Sequence, residues 1–169
     1  QESHVCVPLQ GSGTFVVEAM LSNFVPSSGK VLILINGAYG GRMQSICEYH
    51  RLQSDVLQWP EDKPVDPKQV AERLAEDSGI THVAVVHCET TTGILNPIEA
   101  VGKAVADAGR ALLIDSMSAF GALLDNSWTG QVDSNGRRVY SAAAFSDALP
   151  RPAGVFQNKQ SWHAHAQNW

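Results

Sequence analysis

The chain has 169 residues, 44% hydrophobic and 17% charged, with a formal net charge of −5 at neutral pH. That balance describes a folded domain with a sizeable core, and it excludes an extended disordered chain. The acidic balance and the lack of a basic stripe exclude a nucleic-acid partner from the expectations, and the longest apolar run, residues 31–35, is strand-sized, far short of a membrane span. The opening residue is Gln1 with no signal-like segment after it, so a fragment or processed product is expected. Three cysteines, Cys6, Cys47 and Cys88, have no CxxC spacing; neither a disulfide framework nor a zinc site is indicated, and a reducing cytoplasm is the expected compartment.

In chain order, residues 5–9 form a short strand candidate, followed by Gly11-Ser12-Gly13-Thr14 and a helix that ends before Pro26. The run KVLILI, residues 30–35, is a buried strand; it meets Asn36-Gly37, and a helix is predicted from about Gly41 to His50. Residues 54–57 are a strand candidate, and a proline-rich link leads to a helix over 67–76 with Pro67 near its first position. HVAVVH (82–87) is a strand, Glu89-Thr90-Thr91-Thr92-Gly93 a loop, 97–108 a helix closed by Gly109, and ALLID (111–115) another buried strand. Strand-length apolar runs separated by helices predict an α/β fold with a mostly parallel sheet, whose ligands lie at the carboxyl ends of the strands. Beyond residue 124 the rhythm changes: 126–138 is polar and turn-rich, 141–148 is alanine-rich and potentially helical, and 150–169 shows no period. The expected division is a partial large domain over 1–124 and a divergent tail, frameshifted or poorly ordered, over 125–169.

Four polar clusters fall at the predicted ligand edge, each with an ordinary structural reading beside the functional one. Ser12, Gly13 and Thr14, between a strand and a helix, could cradle a phosphate through free N–H groups and hydroxyls, or could form a plain helix N-cap. Asp115 at a strand end could serve as a base, pair with a protonated ring nitrogen or cap the next turn; with no other carboxylate beside it in sequence, a metal role weakens. His87 and Cys88 suggest a Cys/His hydrolase, but neighbours on a strand face opposite ways, so Cys88 is expected to be a small buried residue and the threonines better ligand contacts. Tyr39, in the glycine-flanked loop 36–40, could stack on a planar ligand or pack over the sheet end, and Arg42 could serve an anion or a surface carboxylate.

The strings LQGSGTFVVEAM (9–20), INGAYGGR (35–42), THVAVVHCETTTGILNP (81–97) and LLIDSMSAFGA (112–122), in this order, resemble the class V aminotransferases of the fold-type I pyridoxal-phosphate enzymes. Within that family they look most like the transaminases acting on 2-aminoethylphosphonate and pyruvate. The resemblance covers residues 7–123. It implies the partial large domain of that fold, with pyridoxal 5'-phosphate as cofactor. Ser12, Gly13 and Thr14 would hold its phosphate, Tyr39 would stack on its ring, Asp115 would pair with its ring nitrogen, and Thr90 would lie beside the ring. It also implies a small-molecule amino donor and pyruvate as substrates, phosphonoacetaldehyde and alanine as products, and a homodimeric parent enzyme.

The chain departs from the family where the Schiff-base lysine is expected, some two dozen residues past the aspartate. Residues 137–144 read RRVYSAAA, and the only later lysine is Lys159. No catalytic residue is therefore assigned, and the chain by itself is expected to be catalytically incompetent. The alternative is a noncatalytic phosphate-ligand or partner-binding module, with the hydrolase a distant third. His163 and His165 make too few ligands for a metal site.

Overall fold

The structure, a computed structural model, describes residues 6–119, 139–143 and 153–156. Strand β1 (Cys6–Leu9) leads to helix α1 (Gly13–Phe24), then β2 (Lys30–Ile35), α2 (Ala38–Tyr49), β3 (Gln53–Gln58), α3 (Pro67–Glu76) and β4 (Ile80–Val86). A small hairpin, β5 (Cys88–Glu89) and β6 (Ile94–Leu95), precedes α4 (Ile98–Asp107) and β7 (Ala111–Asp115); β8 (Val139–Ala143) and β9 (Ala153–Phe156) complete the set.

Local chemistry explains most boundaries. Ser12 caps α1, its Oγ accepting from Phe15 N–H at 3.3 Å. Asp66 caps α3, whose first turn carries a proline, by accepting from Lys68 N–H at 2.9 Å. Gly109 stops α4 with φ +79°, a left-handed conformation that a side chain resists, while Arg110 N–H closes back on Val105. Two elements differ from expectation. Helix α2 begins at Ala38, three residues before the predicted start, although its glycine-rich first turn has no local cap. The start of the alanine-rich stretch, residues 141–143, belongs to β8 (139–143), where ladder pairing with β7 outweighs alanine's helix preference; residues 144–148 lie outside the described residues.

The seven-stranded sheet has the order β1-β9-β8-β7-β4-β2-β3. The run β3-β2-β4-β7-β8 is parallel, and β9 is antiparallel to both of its neighbours, so β1 points the same way as the parallel block. Alternate residues of β2 feed opposite faces. Val31, Ile33 and Ile35 pack with α1 and α2, whereas Leu32 and Leu34 pack with α3 and α4. Burying one such side chain stabilises a fold by about 1.5–3 kcal/mol. All five apolar residues of β2 are at most 6% exposed, so this strand anchors both layers.

At the carboxyl ends of β2 and β4 a buried amide pair ties the loops. Asn96 Nδ2 donates to Asn36 Oδ1 (3.0 Å) and to Val86 O (2.8 Å); its Oδ1 accepts from Asn36 Nδ2 (2.9 Å) and from Val65 N–H (3.1 Å). Asn36 Nδ2 also donates to Lys63 O at 2.9 Å. Every hydrogen-bonding position of the Asn96 amide is used, at 3% exposure. Asn96→Leu keeps the volume but strands Val65 N–H, Val86 O and the Asn36 amide in an apolar setting. It should lower unfolding free energy by about 3 kcal/mol, since each orphaned group costs roughly 1–3 kcal/mol. Urea denaturation checks this: a midpoint equal to that of the unaltered chain would remove the structural role assigned to the pair.

Candidate functional site

The site grows out of the winding of the sheet. From β2 the chain moves outward to β3, and from β4 it moves the other way to β7. A crevice opens where the strand order reverses, beyond the carboxyl ends of β2 and β4, and ligands of open α/β sheets sit there. The turns after β2, β4 and β7, together with the loop between β1 and α1, all reach this edge.

Asp115 ends β7 and is 5% exposed. Its Oδ1 accepts from Met117 N–H at 3.0 Å, so the turn-capping reading holds. Burial pushes the carboxyl up from 3.8 to about 6; Met117 N–H and the Arg42 guanidinium pull it back, and nearby Glu89 adds to the rise. Met117 in turn lies against Gly13, where a β-carbon would fall 1.7 Å from its Cε. The anion loop thus rests directly on the turn that Asp115 caps.

Ser12 and Thr14 are exposed on that loop, Ser12 also serving as the helix cap. Arg42, on the first turns of α2, donates from Nη1 to Thr14 Oγ1 at 3.0 Å, and its guanidinium sits 5.0 Å from the centroid of the Tyr39 ring. Thr90 is exposed and hydrogen-bonded to Ser118, two residues past Met117's neighbour Ser116. Contacts thus connect the segments carrying Ser12, Gly13, Thr14, Tyr39, Thr90 and Asp115 along the carboxyl edge of the sheet.

The Cys/His pair does not assemble. His87 is buried, its Nδ1 is 3.1 Å from Ser116 Oγ, and burial holds its imidazole down at about 4. Cys88 is half-buried rather than fully buried. Cys47 is the inert thiol, buried in the core and pushed up to about 11. Lys30 starts β2 at the opposite edge of the sheet and is paired with Asp77 at 2.7 Å; Lys103 is on α4, paired with Asp107 at 2.6 Å. Lys159, His163 and His165 lie outside the described residues.

Glu89 was not anticipated. It is fully buried, with Oε1 accepting from Tyr39 N–H (3.2 Å) and from Thr91 Oγ1 (3.1 Å), and Oε2 from Gly40 N–H (3.4 Å). It supplies the cap that the start of α2 lacks locally. Gly37 makes this possible, because a β-carbon there would lie 2.2 Å from Glu89 Cγ. The sequence held one hint: a helix whose N-cap is glycine and whose first turn has no acid needs an acceptor from elsewhere.

Aminotransferase class-V, as a family, matches residues 11–128. The chain belongs to the class-V aminotransferase family. It is 44% identical over 167 residues to 2-aminoethylphosphonate–pyruvate transaminase of Pseudomonas fluorescens strain Pf0-1, covering 99% of this chain and 44% of that protein. It is 54% identical over 121 residues to the transaminase of the same name from Pseudomonas aeruginosa PAO1, covering 72% of this chain and 33% of that one. The chain thus spans between a third and less than half the length of these curated relatives. Its fold is shared by pyridoxamine–pyruvate aminotransferase from Mesorhizobium loti (TM-score 0.71, 23% identity, 94% of this chain and 40% of that one). It is shared too by ureidoglycine–glyoxylate aminotransferase from Bacillus subtilis (TM-score 0.71, 22% identity, 97% and 42%). The α/β architecture is accordingly part of the large domain of the fold-type I aminotransferases.

The raised Asp115 has a consequence for this class-V chain. A carboxyl raised on folding contributes stability while protonated and loses it as pH rises through its folded value, so this group weakens the fold between about pH 4 and 6. His87, depressed to about 4, works the other way and adds stability as pH rises toward 6.5. Asp115→Asn removes only the first effect. The variant should be more stable than the unaltered chain at pH 7, by up to about 3 kcal/mol, and nearly equal to it at pH 4. Denaturant unfolding at the two pH values checks this, and a variant less stable at pH 7 would contradict it.

Proposed function

We propose that this chain forms the cofactor-holding face of a transaminase that moves the amino group of 2-aminoethylphosphonate to pyruvate, giving phosphonoacetaldehyde and alanine. We propose further that the chain as it stands binds pyridoxal phosphate without a covalent link and does not transaminate. The observation that carries the first part is the convergence of a buried, cation-seeking carboxylate, an aromatic ring and a hydroxyl-bearing helix N-terminus in one crevice at the strand reversal. The names of the relatives support the substrates. The parent enzyme is taken to be a homodimer, and Phe15, 48% exposed beside the anion loop, is in keeping with a subunit contact there.

The residues present fit the cofactor. When bound, pyridoxal phosphate supplies an electron sink and a carrier for the amino group. Ser12 and Thr14 would donate hydroxyl hydrogen bonds to its phosphate, joined by the unpaired N–H groups at the start of α1 and their positive dipole end. Asp115 is costly to ionise alone, so a proton held on the ring nitrogen would give it the cation its burial withholds. Tyr39 would pack on one ring face and fix its tilt, and Thr90 would lie at the ring's edge. What residues 137–144 do not offer is a lysine, so the proton transfers of the reaction have no amine there to carry them.

The test is to titrate the purified chain with pyridoxal phosphate, reduce with borohydride and map any label. Saturable binding, no trapped lysine and no alanine formation are expected. Ser12→Ala and Thr14→Ala should each weaken binding by about ten- to a hundredfold, the worth of one hydrogen bond to a charged group. A lysine labelled stoichiometrically, with alanine formed, would refute the noncovalent reading. Binding of inorganic phosphate but not of pyridoxal phosphate would leave only a phosphate-ligand module.

A further inference from the structure

We propose that Glu89 is a positioning residue, which sets the Tyr39 ring in the cofactor crevice by fixing the first turn of α2 to the turn that carries Thr90. This inference rests on the proposed cofactor site and deepens it.

A fully buried carboxylate is costly, and at Glu89 the compensation comes from N–H and O–H donors: Tyr39 N–H, Gly40 N–H and the Thr91 hydroxyl. The positive end of α2 adds to it. If stability of the helix were all that mattered, a Ser, Asp or Asn at position 37 would cap it locally with far less desolvation. Position 37 is instead glycine, with no capping side chain, and its missing β-carbon leaves the room that Glu89 Cγ and Cδ occupy, at 2.2 and 2.4 Å from where that carbon would stand. The helix start has been given over to an acceptor reaching it from β5, fifty positions later in the chain.

What that acceptor grips is the backbone of the aromatic residue itself. Tyr39 N–H is bonded by Glu89 Oε1, and Arg42, three residues further on, reaches from the same turn to the Tyr39 ring and to Thr14. On the other side, Glu89 is adjacent to Thr90, which is bonded to Ser118 in the turn after Asp115. Ring, threonine and aspartate turn are thereby held as one unit. The Ser12–Thr14 backbone belongs to α1, whose cap is its own, so removing Glu89 should disturb the ring contacts and leave the anion loop standing.

That separation is the basis of the test. Pyridoxal phosphate and inorganic phosphate are titrated into the full chain and into Glu89→Ala and Glu89→Gln, with the induced circular dichroism of the bound ring recorded alongside. Expected for Glu89→Ala is about tenfold weaker pyridoxal phosphate binding with the induced signal lost, and phosphate binding unchanged, as two backbone hydrogen bonds to a charged acceptor are removed. Glu89→Gln, whose amide oxygen still accepts on one side while its NH2 cannot accept on the other, should recover part of both. Equal losses for the two ligands in Glu89→Ala, unchanged pyridoxal phosphate binding with an unchanged signal, or a glutamine variant no better than alanine would each overturn the proposal. If Glu89→Ala does not fold, amide hydrogen exchange decides: Tyr39 and Gly40 should be protected in the unaltered chain and exchange faster in Glu89→Gln, and lack of protection in the unaltered chain overturns it. If the unaltered chain fails to bind pyridoxal phosphate, it is the proposed function that fails, while the exchange measurement still judges Glu89.

Discussion

Crossovers between parallel strands share one hand, so a chain that reverses its direction across a sheet must send the next helix over the other face. In this protein the reversal falls between β2 and β4, and the rest of the architecture follows. Connections running toward β3, through α1 and α2, cover one face; those running toward β7, through α3 and α4, cover the other. Because helices leave on both sides at that point, no connection among the described residues crosses over the strand ends, the position at which open α/β sheets place their ligands. β2 lies under both layers and has to be apolar on every residue that faces them, which is why KVLILI lacks the alternation of a one-sided strand. The Asn36–Asn96 pair then closes the backbone hydrogen bonds that the splayed loops would otherwise leave open in the interior.

Much of this could be read from the sequence, because the features involved are local. Apolar runs of four or five residues marked β2, β4 and β7, Pro67 and Gly109 marked helix ends, and Ser12 sat where a cap or an anion loop belongs. The six candidate residues were picked out for the same reason, since each sits within a few positions of a strand end. What escaped was the part that depends on partners far apart in sequence. The start of α2 was placed late because its cap is Glu89, and Glu89 was given no role of its own because nothing near it in the chain reveals which N–H groups it meets. The β5–β6 hairpin was taken for a loop, since strands of two residues leave no period to detect. β8 was taken for a possible helix because alanine content reports local preference, whereas a slot beside β7 is a property of the whole sheet.

The ordinary and functional readings of these residues turn out not to be rivals. Ser12 does cap α1, and Asp115 does cap its turn, using one oxygen toward Met117 N–H. Capping fixes where each side chain stands, which is what a binding group requires. The electrostatics go further in one direction than capping needs. A carboxylate that only closed a turn would be cheapest at the surface, yet Asp115 is 5% exposed and shares its surroundings with a second buried acid, Glu89. Two acids are withdrawn from water there, and the Arg42 guanidinium only partly offsets the burial that raises Asp115. A cationic ring nitrogen would add positive charge there.

The same charge argument separates binding from turnover. The residues proposed to hold the phosphate, face the ring and pair with its nitrogen would each act by holding something still, and all of them lie between residues 12 and 118, within the stretch that the family match covers. Proton transfer asks for a group that changes its charge during the reaction, within reach of the substrate and with a value near the working pH. Among the titratable groups at this crevice, His87 is turned toward Ser116 and kept neutral by burial, and Asp115 is committed to the ring nitrogen by the reading above. Among the described residues there, the other groups are Glu89, which accepts from three donors, the hydroxyls and the Arg42 guanidinium. On the proposal made above, binding would rest on residues between Ser12 and Asp115, whereas the family's lysine would fall past Asp115, where residues 137–144 read RRVYSAAA.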